Sequence, residues 1–552
     1  MRVTNKMIMK NAASNINTTK EFVDKRNKQM TSQKQIDRPS DDPVIAVRSL
    51  RLATTLSQVT QYHTKNIPDA ASWLDVTETS LINIRDIMKD CRELSVMSPN
   101  DTYNEQDRKT MITQFESLQK QMFAEGNADY ANRTVFTGYR TNCNLTFTEN
   151  EDDTKYRVDQ SFKVEDYLEE KRYYAGSVTV PTTEAEVGGN AISDISLHSY
   201  YRIRINYDQL ESFNKLEIKS ASGNIDSLFT MYADPADETQ GVITNNTTPI
   251  TDSTGNVNVA AYSVTVYENE KEWAAADTTV DNPIIGGDKL VGADQIIVIR
   301  ETGDIIFGEN VAAKLKEEKA TINVQYDKIG FDKGELRPEY YYNCKKMRDP
   351  NMVGVNDANP ITYTKFDDAG EPIYFDIQYT VAANQTISIN TEASQVFDSS
   401  IQRDITEMID AVQNTIYAHN KIDTIKSMMR ESQYQSDENQ EFLNKWLDAA
   451  TKEKDFFEDN MQKLFERELG KIDSYYAKIN LGITDLGCKK DSLDLTENRV
   501  GDQRQTVQSL QSKNDDIELS QIIIDYTAAY TAYQASLTAA GKLSESTLLN
   551  YI

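Results

Sequence analysis

The stretch from Leu519 to Ile552 reads as one unbroken amphipathic helix. Leu519, Ile522, Tyr526, Ala529, Tyr533, Ala540 and Leu543 recur at three- and four-residue steps. A second file, Ile523, Tyr530 and Leu537, runs beside the first at seven-residue spacing, so the apolar face is broad. Leu548, Leu549, Tyr551 and Ile552 extend it. Chain ends are ordinarily polar and frayed. A helix this apolar therefore needs a partner, which is the protein's own core, its other end or a neighbouring subunit.

The other end supplies a candidate. Within residues 1–35, Met9, Ala12, Ile16, Thr19, Val23 and Met30 lie on a heptad-like stripe. The stripe is thin, and such a segment stays helical only against a companion. The two ends are expected to pack on one another. The run Arg38-Pro39-Ser40-Asp41-Asp42-Pro43 then starts a new helix. Pro39 forces Arg38 into an extended conformation, Ser40 and Asp41 suit a tight turn, and Asp42 is placed as N-cap with Pro43 at the first helical position.

From Val44 to about Ser98 the pattern is helical, with a kink or short break expected at Pro68. Leu74, Thr77, Leu81, Ile84, Met88 and Cys91 share one seam, which makes Cys91 a small buried hydrophobe. Pro99-Asn100-Asp101 ends that helix, and residues 105–124 resume it with Met111, Phe115, Leu118 and Met122. Near Leu145 the period changes to two. Residues 201–207, 216–218, 262–267, 295–300, 305–307, 320–326, 361–366, 372–379 and 385–390 read as strands, separated by turn chemistry such as Gly188-Gly189 and Asn245-Asn246. Tyr340-Tyr341-Tyr342 reads as strand residues filling a sheet face rather than as a carbohydrate or cell-surface contact. Helix returns near Phe397, again over residues 441–469, and from about Lys490, with Gly470, Gly482 and Gly487 expected in the connections.

The predicted fold class is therefore multidomain α+β. An elongated antiparallel α-helical bundle or coiled coil is formed by the N- and C-terminal regions, with one or two β-rich domains inserted between them. The expected divisions are a helical tail at 1–35, a first rod segment at 36–144, the insertion at 145–396, a returning rod segment at 397–514 and the terminal helix at 515–552.

Charge and motifs exclude several functions. A formal charge of −28 argues against nucleic-acid or anionic-membrane partners. No apolar run reaches the length of a membrane span, and Met1 to Lys6 lack the apolar region of a cleavable signal, so no membrane insertion is expected. Cys91, Cys143, Cys344 and Cys488 match no metal or disulfide spacing and read as free thiols. His63, His198 and His419 sit on different elements, and no HExxH pair, phosphate-binding glycine loop or nucleophile elbow is present. The acidic run at 149–153 lacks the ligand order of a calcium loop and is expected to be a solvated loop. No catalytic residue, metal or cofactor is expected.

Arg38-Pro39-Ser40-Asp41-Asp42-Pro43, Gln61-Tyr62, Asn66, Glu78, Leu81 and Arg92-Glu93-Leu94 together resemble the N-terminal region of the bacterial flagellin superfamily. Within it they are most similar to the hook–filament junction subunits, because filament flagellins usually carry an alanine- and glycine-containing version of the Pro-bracketed turn. Asp107-Arg108 and Phe136-Thr137-Gly138-Tyr139 fit the same pattern, and residues 546–552 resemble the family's C-terminal ending. The resemblance covers roughly 1–145 and 385–552, and Pro68 departs from the uninterrupted helix it implies.

That resemblance implies a structural subunit of the extracellular flagellum, exported through the flagellar secretion channel. The implied partners are other copies of itself in a ring or helical homo-oligomer, a hook-associated protein on the hook side, flagellin, and an export chaperone that shields the C-terminal helix. The implied contact residues are Leu519, Ile522, Ile523, Tyr526, Tyr530, Tyr533, Leu537, Leu548 and Leu549, with Met9, Ile16, Val23 and Met30 opposite. Two alternatives are a filament flagellin and a surface-display or adhesin protein acting through the β insertion.

Overall fold

The computed structural model describes residues 5–100, 103–174, 178, 180–189, 197–219, 227–232, 263–270, 272–273, 291–293, 295–352, 354–367 and 370–545. The protein is mixed α+β, with long helices towards both ends of the sequence and sheets in the middle. Four helices lead: α1 (Asn5–Ser32), α2 (Pro43–Gln61), α3 (Ile67–Met97) and α4 (Glu105–Gly126). A small ladder follows, β1 (Asp129–Tyr130) with β2 (Arg133–Thr134), then β3 (Glu151–Lys163), α5 (Val164–Tyr167), β4 (Glu169–Tyr174) and α6 (Glu184–Gly189). Next are β5 (Leu197–Arg204), β6 (Leu210–Lys219), β7 (Ser227–Tyr232), β8 (Ser263–Tyr267), β9 (Gln295–Ile299) and β10 (Asp304–Phe307). Then come α7 (Glu309–Glu317), β11 (Thr321–Phe331), β12 (Asn343–Arg348), β13 (Ile361–Tyr363), β14 (Gln378–Ala382) and β15 (Gln385–Ser388). The chain closes with α8 (Ala393–Val396), α9 (Ile401–Met428), α10 (Asp437–Asp515) and α11 (Leu519–Glu545).

The contacts divide the protein into two units. The first comprises Met1–Ser72, Gln378–Ile389 and Cys488–Ile552, and the second comprises Trp73–Ile377 and Asn390–Gly487.

In the first unit, Asp42 caps α2 by accepting from the Val44 and Ile45 N–H groups at 2.9 and 3.2 Å, with Pro43 opening the helix. Between α2 and α3, residues Tyr62–Asn66 form a π-helical turn in which the Ile67 N–H reaches back five residues to the Tyr62 carbonyl. Pro68 is the cause. It has no N–H for the carbonyl four residues earlier and its ring crowds that carbonyl, so the preceding turn widens rather than breaking. The hairpin β14–β15 rests against this turn, where Asn66 Nδ2 donates to the Thr380 carbonyl at 2.7 Å and Tyr379 bonds Asp69.

In the second unit, α3, α4, α9 and α10 bring together the seams read from the sequence. Phe115 meets Phe465 at 6.1 Å, the Ser95 hydroxyl donates to Met408 Sδ at 3.5 Å, and Thr415 donates to Met461 Sδ at 3.6 Å. Cys91 is fully buried on its seam, and burial pushes its thiol pKa up to about 12. All four cysteines are free. The same unit holds a six-stranded antiparallel sheet, ordered β13-β12-β3-β11-β6-β7, and a five-stranded sheet, ordered β4-β5-β10-β9-β8, whose last pair is parallel.

Helix and sheet residues of this unit meet through buried charges. Arg202, on β5, is 1% exposed and pairs with Glu407 at 2.5 Å, with Asp304 at 3.4 Å and with Glu169 at 3.4 Å. Arg204 reaches the same Glu407 at 2.5 Å. Lys471 of α10 reaches Glu169 at 2.6 Å and Asp404 at 3.1 Å. Burial alone would raise the Glu407 pKa, but Arg202 and Arg204 outweigh it and hold the carboxylate well below its ordinary range.

Several sequence expectations change. Glu151 to Asp153 are not loop but the first residues of β3, and Arg337 pins Glu151 at 3.3 Å. The tyrosine triplet is buried but belongs to a 3-10 turn (Pro338–Tyr340) and the residues just after it, not to a strand. Of residues 372–379 only the last two are strand. Asn245-Asn246 and Tyr262 lie outside the described residues.

The three glycines at 470, 482 and 487 end nothing, because α10 runs through all of them for 79 residues. Gly482 is there for space: a Cβ would stand 2.5 Å from Val396 Cγ1 and 3.4 Å from Leu81 Cδ1. Gly470 and Gly487 have nothing within 4 Å of such an atom. Alanine at Gly470 or Gly487 should therefore raise stability by about 1 kcal/mol through backbone entropy. Gly482→Ala should lower it by about 1–3 kcal/mol and be rescued by Val396→Ala, as read by urea unfolding.

Candidate subunit interface

In the first unit, α1 and α11 lie side by side and antiparallel. Thr19 Oγ1 meets Ser536 Oγ at 3.1 Å, Arg26 meets Asp525 at 3.5 Å, and Lys34 pairs with Asp516. The near end is clipped by backbone. The Gln35 N–H donates to the Asp515 carbonyl at 2.7 Å, and the Ile517 N–H donates to the Gln33 carbonyl at 3.0 Å. Gln33 adopts a φ of 55°, the left-handed turn that lets the strand leave α1 and face its mate. Lys34, then Ser512, hold the Asp516 carboxylate below its usual pKa range. Within the Pro-bracketed turn, Asp41 Oδ2 accepts from the Asp37 and Arg38 N–H groups at 3.1 and 3.0 Å. Those backbone donors, Arg38 first, lower its pKa. Ser49 donates to Asp515 at 2.9 Å, and Asn514 Nδ2 donates to the Ile45 carbonyl at 3.2 Å, so α2 joins the end of α10.

Burial separates the two apolar files of α11. Ile522 is fully buried, and Tyr526, Ala529, Tyr533 and Ala540 are half-buried. Leu519 is 49% exposed, Ile523 48%, Tyr530 44% and Leu537 43%. On α1, Ile16, Val23 and Met30 are half-buried, but Met9 is exposed. The exposed row is more than a scatter of single side chains, because it repeats along one helix at near-heptad spacing. Leu548 and Leu549 lie outside the described residues.

Sequence reasoning missed exposed Ile524 and Phe22, and the α2 row Val44, Val47 and Leu50, which are 77%, 50% and 68% exposed. The run Ile522-Ile523-Ile524 was the available signal: three consecutive isoleucines cannot share one face of a helix. Among the described residues, no cluster of three or more potential metal ligands occurs, and no helix is long and apolar enough to cross a membrane.

Comparison with known proteins bears on this same end of the molecule. Residues 3–141 match the model of the bacterial flagellin N-terminal helical region. This part of the chain is similar to the flagellin N-terminal region. Flagellar hook-associated protein 3 of Salmonella typhimurium is 26% identical over 142 residues, 26% of this chain and 44% of that protein. The Escherichia coli protein of the same name is 28% identical over 139 residues, 25% of this chain and 43% of that protein. The match thus spans less than half the length of these relatives. Among solved structures, a putative flagellar hook-associated protein from Vibrio parahaemolyticus is 12% identical, covering 86% of this chain and 100% of that one with a TM-score of 0.31. Flagellar hook-associated protein-3 from Legionella pneumophila is 11% identical, covering 84% and 97%, with a TM-score of 0.29. Superpositions that loose carry no argument about shape or assembly.

The clip of 33–35 with 515–517 ties the start of α11 to the end of α1, so the α1–α11 pair depends on both ends of the sequence. Truncating Ile522→Ala should cost about 2–5 kcal/mol and strip hydrogen-exchange protection from α1 as well as α11. Ile523→Ala should cost the monomer under about 0.5 kcal/mol and leave protection of both helices intact.

Proposed function

We propose that this protein is a structural subunit of the bacterial flagellum that joins the hook to the flagellin filament by helical self-assembly. The observation that carries the reading is the exposed row Ile523, Tyr530 and Leu537 on a helix whose other row is covered by α1. One neighbour within the chain satisfies half of the apolar surface, and copies packed side by side satisfy the rest. Support comes from the flagellin N-terminal region at 3–141 and from relatives named flagellar hook-associated protein 3.

In this reading 1–35 and 515–552 form the assembly domain as a coiled coil. Residues 36–144 and 397–514 form a helical rod, and 145–396 are an insertion carried by it. Partners are further copies of the chain, a hook-associated protein on the hook side, flagellin, and an export chaperone seated on the apolar face of α11. The chain reaches the extracellular flagellum through the flagellar secretion channel. Its work is mechanical, with no reaction catalysed: many weak helix contacts, repeated around a closed wall, give a stiff joint.

The double variant Ile523→Asp/Leu537→Asp should keep the helical circular dichroism of the monomer while losing assembly. Sedimentation at rising concentration should show higher species for the natural sequence and a persistent monomer for the variant. Immunogold labelling in the source bacterium should mark the base of the filament; label along its whole length would make the protein a filament flagellin instead.

A further inference from the structure

The six-stranded sheet of the second unit carries a cleft that the proposed assembly role does not use. It has a volume of about 770 Å³, within the range of roughly 300–1,000 Å³ typical of small-molecule sites. Its floor is the solvent-side face of β3, β11, β6 and β12, where alternation puts polar side chains in cross-strand rows. Asn323 stands opposite Ser161 on one side and Glu217 on the other. In the next row Gln325 stands between Asp159 and Lys215, and Asn343 lies beyond Asp159.

Several polar groups of the cleft are paired with one another. Lys215 pairs with Glu217 at 3.2 Å, Lys478 pairs with Asp398 at 3.6 Å, and Gln325 Nε2 donates to Asp159 at 2.6 Å. Asn323, Ser161 and Thr321, by contrast, make no side-chain hydrogen bond among the described residues, and all three line the cleft. Amide and hydroxyl groups in that state suit a neutral ligand rich in hydroxyls.

Two aromatic rings stand at the ends of the same floor. Tyr167, 41% exposed and braced edge-on by Phe162 at 5.4 Å, follows Lys163, which pairs with Thr321. Half-buried Phe366 is held at the other end by Asn343, which accepts its N–H at 2.8 Å and donates to its carbonyl at 3.1 Å. Thr321 and Gln325 are four strand steps apart, about 13 Å. A pyranose ring offers an apolar C–H face to an aromatic ring and a rim of hydroxyls to planar amides, which is the combination this floor supplies. We propose that the cleft binds a neutral oligosaccharide of two or three sugar units, stacked on Tyr167 and Phe366 and hydrogen-bonded by Asn323, Ser161 and Thr321.

The test is titration calorimetry of the full chain with chitotriose, cellotriose, maltotriose and mannotriose. At least one is expected to bind with sub-millimolar affinity. Asn323→Ala and Tyr167→Ala should each weaken it by about tenfold or more, while Tyr417→Ala, at an exposed tyrosine outside the cleft, leaves it unchanged. Asn323 is a half-exposed strand position, so its variant reports on the cleft even where loss of the Tyr167–Phe162 contact disturbs the fold. Absence of binding by all of these sugars at millimolar concentration overturns the proposal. So does binding that Asn323→Ala and Tyr167→Ala leave untouched. Neither result bears on assembly through α11, which is read separately by sedimentation.

Discussion

A helix with two apolar files cannot hide both against one neighbour. In α11 the file through Ile522, Tyr526 and Tyr533 turns towards α1, and the file through Ile523, Tyr530 and Leu537 is left facing water. Fully burying one isoleucine stabilises by about 1.5–3 kcal/mol, so Ile522 is a principal anchor of the pair. The thin stripe of α1 supplies little more, with Thr19 and Arg26 taking part as polar contacts. The pair is thus held modestly, by one buried isoleucine, a few half-buried side chains and a two-stranded clip. In the proposed subunit role, its residual apolar row is the free energy available for assembly.

The second unit is held by a different balance. Around Arg202 and Glu407, charges removed from water are tolerated because each finds several opposite partners at short range. Such a network adds little net stability over an apolar core of the same volume, but removing one partner would strand the others. It therefore specifies how the strands carrying Arg202 and Asp304 seat on the helices carrying Glu407 and Lys471. The sheet face with the cleft obeys the opposite rule, because its ion pairs are half-exposed and leave neutral polar groups open to solvent. One unit can thus be locked internally and still present a ligand-ready surface.

Much of this was legible beforehand. Asp42-Pro43 announced a capped helix because an oxygen two residues ahead of an orphan N–H and a residue with no N–H are local facts. The seam through Leu81, Met88 and Cys91 followed from periodicity, and so did a strand over 201–204, although β5 begins earlier, at Leu197, and 205–207 have left it. What the alternation Arg202-Ile203-Arg204-Ile205 could not say was that both of its faces are covered: Ile203 and Ile205 are buried, and so is Arg202. An arginine between isoleucines reads as solvent-facing until acidic partners from distant segments are placed beside it. The opening of β3 was lost in the same way, since three acidic residues resemble a loop unless a partner strand is known.

The sequence by itself determined where helices start, which residues repeat on one side of them, and that the two ends of the chain need company. These depend on neighbours a few residues apart. Only the tertiary structure decided which file of α11 is buried and that Gly482 leaves room for Val396 rather than marking a connection. Each of those outcomes turns on atoms far apart in the chain, whose approach no local pattern encodes.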